Sequence, residues 1–393
     1  MDLNDADRLE RAKSRLAELI AFPTVSSDSN LELIVWAASL LTELGARVDI
    51  HADDTGQKAN LFATFGPDGD GGIVLSGHTD VVPADPSEWI SDPFALSERD
   101  GRLYGRGSCD MKGFIACVLA LAPEIADWNV TRPVHIALTH DEETGCLGAQ
   151  SLVEILRSGP VKPAIAIIGE PTSMQIVNGH KGCFEYTTEL RGAEGHGSAP
   201  DLGVNAAIFA TRYVGRLMEL AAELRERAPA GSPFTPPWTT VNVGRIQAGN
   251  ARNVIAGHAE VEWEMRPVAP GDADYVKQAV DRFAAETLEP EMQAVSPDAC
   301  IARHTIAEIA GLEPREGCRA VDLATALTGG NATGIVAFGT EAGLFQELGL
   351  DCVVCGPGSI EQAHKADEYL AIDQLAECLT MLDRLGNRLA RAR

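Results

Sequence analysis

Three apolar runs of strand length stand out in the first half of the chain: GGIVLSGH (71–78), PVHIALTH (133–140) and PAIAIIGE (163–170). Each is rich in β-branched residues, bounded by Gly or Pro, and closed by a polar residue, the pattern of a strand buried on both faces. Between them, Gly113 to Ala126 and Cys146 to Arg157 carry apolar residues at helical spacing. Strand and helix in alternation predict a largely parallel α/β sheet with helices on its faces. The N-terminal MDLNDADRLERAKSRLAELIAF predicts an amphipathic first helix, and a closing helix is expected from Asp373 to about Arg391.

From about Gly179 to about Pro290 the pattern changes. The alternating pieces CFEYTTELRG and HAEVEWEMRP bracket a helical stretch, Asn205 to Arg227, and the Pro-rich loop GSPFTPPW (231–238). Alternation with period two is the mark of strands with one wet face, so this region reads as an inserted α+β domain over residues 179–290. Strand and helix alternation resumes with IVAFGTEAGLFQELG and LDCVVCGPG. The first domain is therefore expected to be discontinuous, residues 1–178 and 291–393.

At roughly 150 residues per domain, a chain of 393 residues has room for two or three cores. With 32 Lys+Arg against 57 Asp+Glu the net charge is −25, which disfavours nucleic acid and anionic membranes as partners. The longest uncharged apolar stretch, Gly113 to Pro123, falls far short of the roughly 20 residues that span a bilayer. The N-terminus lacks the basic start and apolar centre of a secretion signal, and nine singly scattered Cys suit a reducing compartment. A cytoplasmic location is the expectation. The one CxxC, Cys352 to Cys355 in DCVVC, lies on a strand where residues three apart face opposite ways, so core packing is expected there.

Function in parallel sheets gathers at the carboxyl ends of the strands. His78 and Asp80 (SGHTD), Glu142 and Glu143 (HDEETG) and Glu170 (GEPT) fall at such ends, with Asp110 (GRGSCDMKG) and His364 (EQAHKADEY) in loops. Two imidazoles and several carboxylates form the ligand chemistry of a divalent metal, zinc first. A metal pair needs more negative charge than one ion: a bridging carboxylate plus a His and a carboxylate on each would use five side chains. Taken singly, each residue is an ordinary loop or capping group, and His51, His135, His180, His258 and His304 are left under that reading. Only together, on one edge of one sheet, do they point to a metal site.

The runs SGHTDVVPAD, SDPFALSERDGRLYGRGSCDMKGF, THDEETGCLGA, IIGEPT, GAEGHGSAP and GPGSIEQAHKADEYL, in this order from Gly77 to Leu370, resemble the successive signatures of the dizinc amidohydrolase family. That family includes amino-acid deacetylases and desuccinylases, carboxypeptidase G and the aminoacylases. The resemblance implies a zinc-peptidase-like catalytic domain with a mixed, largely parallel sheet, and an inserted lid and dimerisation domain. It implies two Zn2+ per subunit, with Co2+ as a functional substitute. His78 and Glu170 are then ligands of one ion, Glu143 and His364 of the other, and Asp110 bridges them. Asp80 matches the carboxylate that orients the first histidine, a role its spacing permits because residues two apart on a strand share a face. Glu142 matches the general base.

The resemblance further implies a homodimer in which His196 (GHGSAP), from the inserted domain of a partner subunit, donates to the oxyanion. Asn253 (RNVIAG) and Arg266 (WEMRP) match residues that hold the substrate α-carboxylate, a task suited to an Arg fork. Gly339 and Thr340 in FGTEAG match a substrate-contacting turn. Within the family, FGTEAGLFQ and the His364 run are most similar to the branch acting on N2-acetyl-L-ornithine, and Glu341 is expected to pair with the ornithine ammonium. Other N-acyl amino acids, such as N-acetylcitrulline, N-acetylmethionine and succinyl-diaminopimelate, or a dipeptide, are the alternative substrates. Ser108 and Cys109 stand where branch members often have Thr-Ala, and a thiol there is expected to make the site oxidation-sensitive. No GxSxG supports a serine hydrolase, GRGSCDMKG is not a P-loop, and a non-catalytic binding relative is expected to have lost Glu142 or a ligand.

Overall fold

A computed structural model describes residues 3–269 and 271–390. The chain forms two compact units, one from residues 1–179, 312–336 and 340–393, the other from residues 180–311 and 337–339.

The discontinuous unit is built on an eight-stranded sheet in the order Arg47–Ala52, Ala59–Phe65, Val134–Thr139, Ile73–His78, Ile165–Pro171, Asp351–Gly356, Ile176–His180, Thr333–Val336. The middle of the sheet is parallel: Ile73–His78 lies between Val134–Thr139 and Ile165–Pro171, and Asp351–Gly356 continues in the same sense. Arg47–Ala52 and Ala59–Phe65 run antiparallel, which makes the sheet mixed. The three runs read as buried strands are buried at every position. Helices Leu3–Ile20, Lys112–Asp127 and Ile372–Leu389 pack on one another, and Lys112–Asp127 lies on the central strands. One glycine permits that approach: a Cβ at Gly169 would fall 2.0 Å from the Phe114 ring. The DCVVC strand is core as expected, with Cys352 and Cys355 buried and their thiols directed to different backbone carbonyls, Leu350 and Met174.

The inserted unit holds a four-stranded antiparallel sheet in the order Thr240–Ala248, His258–Arg266, Cys183–Arg191, Cys300–Ile309. Buried positions alternate along His258–Arg266, and the apolar set packs with helices Ala206–Glu226 and Asp272–Phe283. Trp263 and Tyr186 pack there as a tilted pair at 4.6 Å between ring centroids, and the Trp263 indole N–H donates to Thr188 Oγ1 at 3.1 Å. The insertion extends further than the sequence boundary at 290. Strand Cys300–Ile309 pairs along its length with Cys183–Arg191 at the edge of the inserted sheet, so the backbone groups on that side are satisfied there. No helix among the described residues is long and apolar enough to cross a membrane.

Candidate metal centre

Parallel strands deliver their carboxyl ends to one edge of a sheet, and the polar residues that close the apolar runs meet there. His78 ends its strand opposite Thr139, the last residue of the neighbouring strand, and the chain then turns through His140 and Asp141 to Glu142 and Glu143. Glu170 lies in Ile165–Pro171 on the other side of the His78 strand. Asp110 sits just before helix Lys112–Asp127, and His364 just after a short turn at Ile360–Gln362. Asp141 and His364 adopt left-handed backbone (φ 54° and 62°), strain held by the contacts these loops make.

Distances bring the expected ligands together. His78 Nε2 is 3.1 Å from Asp110 Oδ1 and 3.7 Å from Glu170 Oε1. On the far side of Asp110, His364 Nε2 is 3.4 Å from Oδ2 and 3.0 Å from Glu143 Oε2. Asp110 thus faces a histidine with each oxygen. Potential ligand atoms of His78, Asp110 and Glu143 lie within 4.8 Å of one another, as do those of His78, Glu142 and Glu170.

The donor set fits divalent cations. His78 Nδ1 is 2.9 Å from the Asp80 carbonyl oxygen, and donating its proton there leaves Nε2 as a lone pair turned towards carboxylates. Acceptors facing acceptors in a buried place are unfavourable without a positive charge among them. Glu170 Oε1 is buried without a hydrogen-bond partner among the described residues.

The electrostatics show how strongly this acceptor cluster draws positive charge, a proton on His78 included. Burial opposes protonation of His78, yet Glu170, Asp110 and Asp80 more than offset it and hold its pKa well above the ordinary value. Burial raises Glu142 well above the usual carboxylate range, with Glu143, Asp110 and Asp80 adding to it. Glu170 is raised for the same first reason, reinforced by Asp110. Burial also acts on Asp110, but hydrogen bonds to His364 and His78 win and lower it. Hydrogen bonds to Asp110 and Glu143 raise His364 to about 10.

The structure changes several assignments. Asp80 holds His78 through its main-chain oxygen, its carboxylate lying 3.5 Å from Nδ1. That carboxylate instead accepts from the backbone N–H of Glu142 (3.0 Å) and Glu143 (3.3 Å) and from Ser26 Oγ (2.7 Å), fixing the loop that carries both acids. Lys58 closes the same network on Asp141 and the Ser26 carbonyl. Glu341 is fully buried, and its carboxylate accepts from Ser76 and Thr139 hydroxyls on two adjacent strands. Both its oxygens are engaged by the protein, which argues for a structural role in place of the expected ammonium contact. Thr340 Oγ1 accepts from the Ala342 N–H at the start of the next helix. Cys109 is no exposed oxidation target: it is buried, its thiol donates to the Ser359 carbonyl at 3.2 Å, and burial pushes its pKa well up.

Four expected residues lie in the inserted unit. His196 is exposed on the strand Gly195–His196, which pairs with Val254–Ile255 and so sets His196 beside Asn253 in that unit. Its Nδ1 is 2.7 Å from Ser198 Oγ, and the Gly197 N–H donates to the Asn253 carbonyl at 2.8 Å. Arg266 ends its strand, with Nη2 2.7 Å from Glu264 Oε2. Gly339 belongs to the same unit. Sequence reasoning missed Ser26, Lys58 and Glu368, whose roles lie in hydrogen bonds between distant parts of the chain that spacing does not reveal.

Residues 74–388 match the model of peptidase family M20/M25/M40. The chain belongs to this family. Its members are metal-dependent hydrolases, in keeping with the donor cluster above. Among its relatives, acetylornithine deacetylase of Myxococcus xanthus is 39% identical over 96% of this chain and 97% of the relative. Acetylornithine deacetylase of Photorhabdus laumondii is 38% identical over 94% of each chain. The fold is shared with the M20 family metallo-carboxypeptidase of Sulfolobus solfataricus (TM-score 0.73, 18% identity, 98% of this chain and 99% of that one). Human carnosine dipeptidase 1 is similar at a TM-score of 0.69 and 17% identity, over 99% of this chain and 98% of that one.

Proposed function

We propose that the protein hydrolyses the amide bond of an N-acyl-L-amino acid, and that its substrate is N2-acetyl-L-ornithine, released as L-ornithine and acetate in arginine biosynthesis. The reading is carried by the meeting of His78, Asp110, Glu143, Glu170 and His364 around Glu142 at one sheet edge. The names of the full-length relatives support the substrate.

His78 and Glu170 would hold one zinc ion, Glu143 and His364 a second, with Asp110 shared, and cobalt would serve in their place. Such ions supply Lewis acidity to the amide carbonyl and make water available as a nucleophile near neutral pH. Glu142 takes the proton of the attacking water and passes it to the departing amine nitrogen. Asp80 holds the Glu142–Glu143 backbone, so base and ligand share one rigid turn. To His196 we assign donation to the oxyanion, to Asn253 and Arg266 the α-carboxylate, and to Gly339 and Thr340 the substrate-facing turn. A homodimer through the inserted unit and a cytoplasmic location complete the proposal. The exposed edge strand Thr240–Ala248 with its outward Ile246 offers surface for such a contact.

The test is release of free amine from N-acetylornithine beside N-acetylcitrulline, N-acetylmethionine and N-succinyl-diaminopimelate, with zinc- or cobalt-loaded protein and Glu142→Ala as control. Preference for N-acetylornithine, lost in the control, is expected. Preference for another member would discard the substrate and keep the chemistry; no turnover of any would remove both.

A further inference from the structure

One buried acid outside the expected ligand set gathers more hydrogen bonds than any ligand does. Glu368, four residues beyond His364, is 1% exposed. Its Oε2 accepts from Arg106 Nη1 at 2.7 Å and from the Gly107 N–H at 3.0 Å. Its Oε1 accepts from the Cys109 N–H at 2.8 Å and the Asp110 N–H at 3.0 Å. Its main-chain oxygen accepts from the Gly105 N–H at 3.1 Å. The loop 105–110 is thus folded around a single carboxylate, which fills the concavity of converging N–H groups as a bound anion would. A buried carboxylate is tolerated only when so paired, and charge-assisted bonds of this kind are the strong ones.

The two loops this acid joins carry Asp110 and His364, whose side chains face each other at 3.4 Å. Neither residue belongs to the large sheet. His78 and Glu170, by contrast, lie on strands fixed by the parallel ladder. The two halves of the donor cluster are therefore held by different means. Backbone pairing holds the His78 and Glu170 half; in the other, Asp80 holds the Glu143 backbone and the Glu368 carboxylate holds the Asp110 loop.

We propose that Glu368 is a positioning residue that locks the Asp110 loop to the His364 loop and thereby sets the affinity of the half-site formed by Asp110, Glu143 and His364. The inference rests on the two-ion reading above. In Glu368→Gln the side chain keeps its shape, but an amide NH2 must meet backbone N–H groups on one side. Removing a partner that orients ligands typically weakens metal binding about 10- to 100-fold. Calorimetric titration of the apoprotein with Co2+, read with the visible absorption of the bound cobalt, is expected to show two ions in the parent. In Glu368→Gln the ion at Glu143 and His364 should bind at least about tenfold more weakly and the ion at His78 and Glu170 be weakened less, through the shared Asp110 alone, with kcat reduced and KM within about twofold. Glu368→Asp, which keeps the charge and withdraws it by one methylene, should weaken the same ion. If Glu368→Gln fails to fold, Arg106→Gln leaves the three N–H bonds and should give a smaller weakening, again larger at the Glu143 and His364 ion than at the other. Parent-like affinity for both ions, or equal weakening of both, would overturn the coupling. Fewer than two ions in the parent would instead remove the reading beneath it.

Discussion

Strand Ile73–His78 is buried at every position, whereas strand His258–Arg266 alternates between buried and part-exposed residues. Both sheets carry many ionisable groups, and the fate of those groups differs. On the inserted sheet, Arg245 pairs with Glu262 at 2.5 Å and Arg191 with Glu189 at 2.9 Å, all in contact with water. Water weakens such pairs, so they cost little to keep and contribute little. At the edge of the large sheet the same residue types are removed from water, and burial raises Glu142, Glu170 and Glu143 together. Charge crowded in that way is expensive unless it binds cations, and it is reactive because water does not compensate it. The comparison teaches that placement, and not composition, turns an acidic chain into an acid–base site.

The largest expected effect comes from removing the base. Glu142→Ala should lower kcat by about 10²- to 10⁴-fold with KM little changed, measured on the best substrate of the panel. Retained metal content in that variant would separate a lost proton transfer from a lost site.

Next is the acid sensitivity of the large sheet. His135 lies buried on Val134–Thr139, stacked on Phe62 and hydrogen-bonded to Thr64, and burial lowers its pKa to about 4. Unfolded, it titrates near its ordinary value of 6.5. Below pH 6.5 the unfolded chain binds a proton that the native chain refuses until about pH 4, so stability present above pH 6.5 is lost as pH falls through that window. The loss is on the order of 3 kcal/mol. Denaturant unfolding at pH 7 and pH 4.5 should show a shallower pH dependence in His135→Asn, and an identical slope would count against this assignment.

A chelator should abolish turnover and lower the melting temperature, because ions that bind only the folded cluster stabilise it by about 2.7 kcal/mol at a hundred times Kd. Zinc or cobalt should restore both; a melting temperature indifferent to chelator would deny the cluster its cations. The smallest effect belongs to the open sheet: Arg245→Ala should change unfolding free energy by less than about 1 kcal/mol. A larger change would erase the contrast between the sheets.

The three buried strands, the helices between them and the closing helix were legible because their periodicity is strong and their ends carry Gly or Pro. Helix Leu31–Glu43 and strands Arg47–Ala52 and Ala59–Phe65 were not read, and Ala59–Phe65 shows why. ANLFATF mixes Asn and Thr into a wholly buried strand, where Asn60 donates to the Gly148 carbonyl and Thr64 bonds His135. The boundary at 290 failed for a related reason, since the ladder partner of Cys300–Ile309 lies more than a hundred residues earlier. In the candidate site, the ordered motifs pointed to His78, Asp110, Glu142, Glu143, Glu170 and His364, whose side chains lie close together. The Glu341 motif does not tell which way the carboxylate turns, and it turns into the strands.

The sequence by itself determined the strand termini and the residue types that end them, because apolar runs must be buried and the polar groups that close them come to lie at a sheet edge. Only the tertiary structure decided how those groups are held. Asp80 keeps its carboxylate 3.5 Å from His78 Nδ1 while accepting from the backbone of Glu142 and Glu143, and Glu368 joins two loops 258 residues apart in contact with Asp110. Hydrogen bonds to backbone amides depend on where the chain returns in space, and no local pattern of side chains encodes that return.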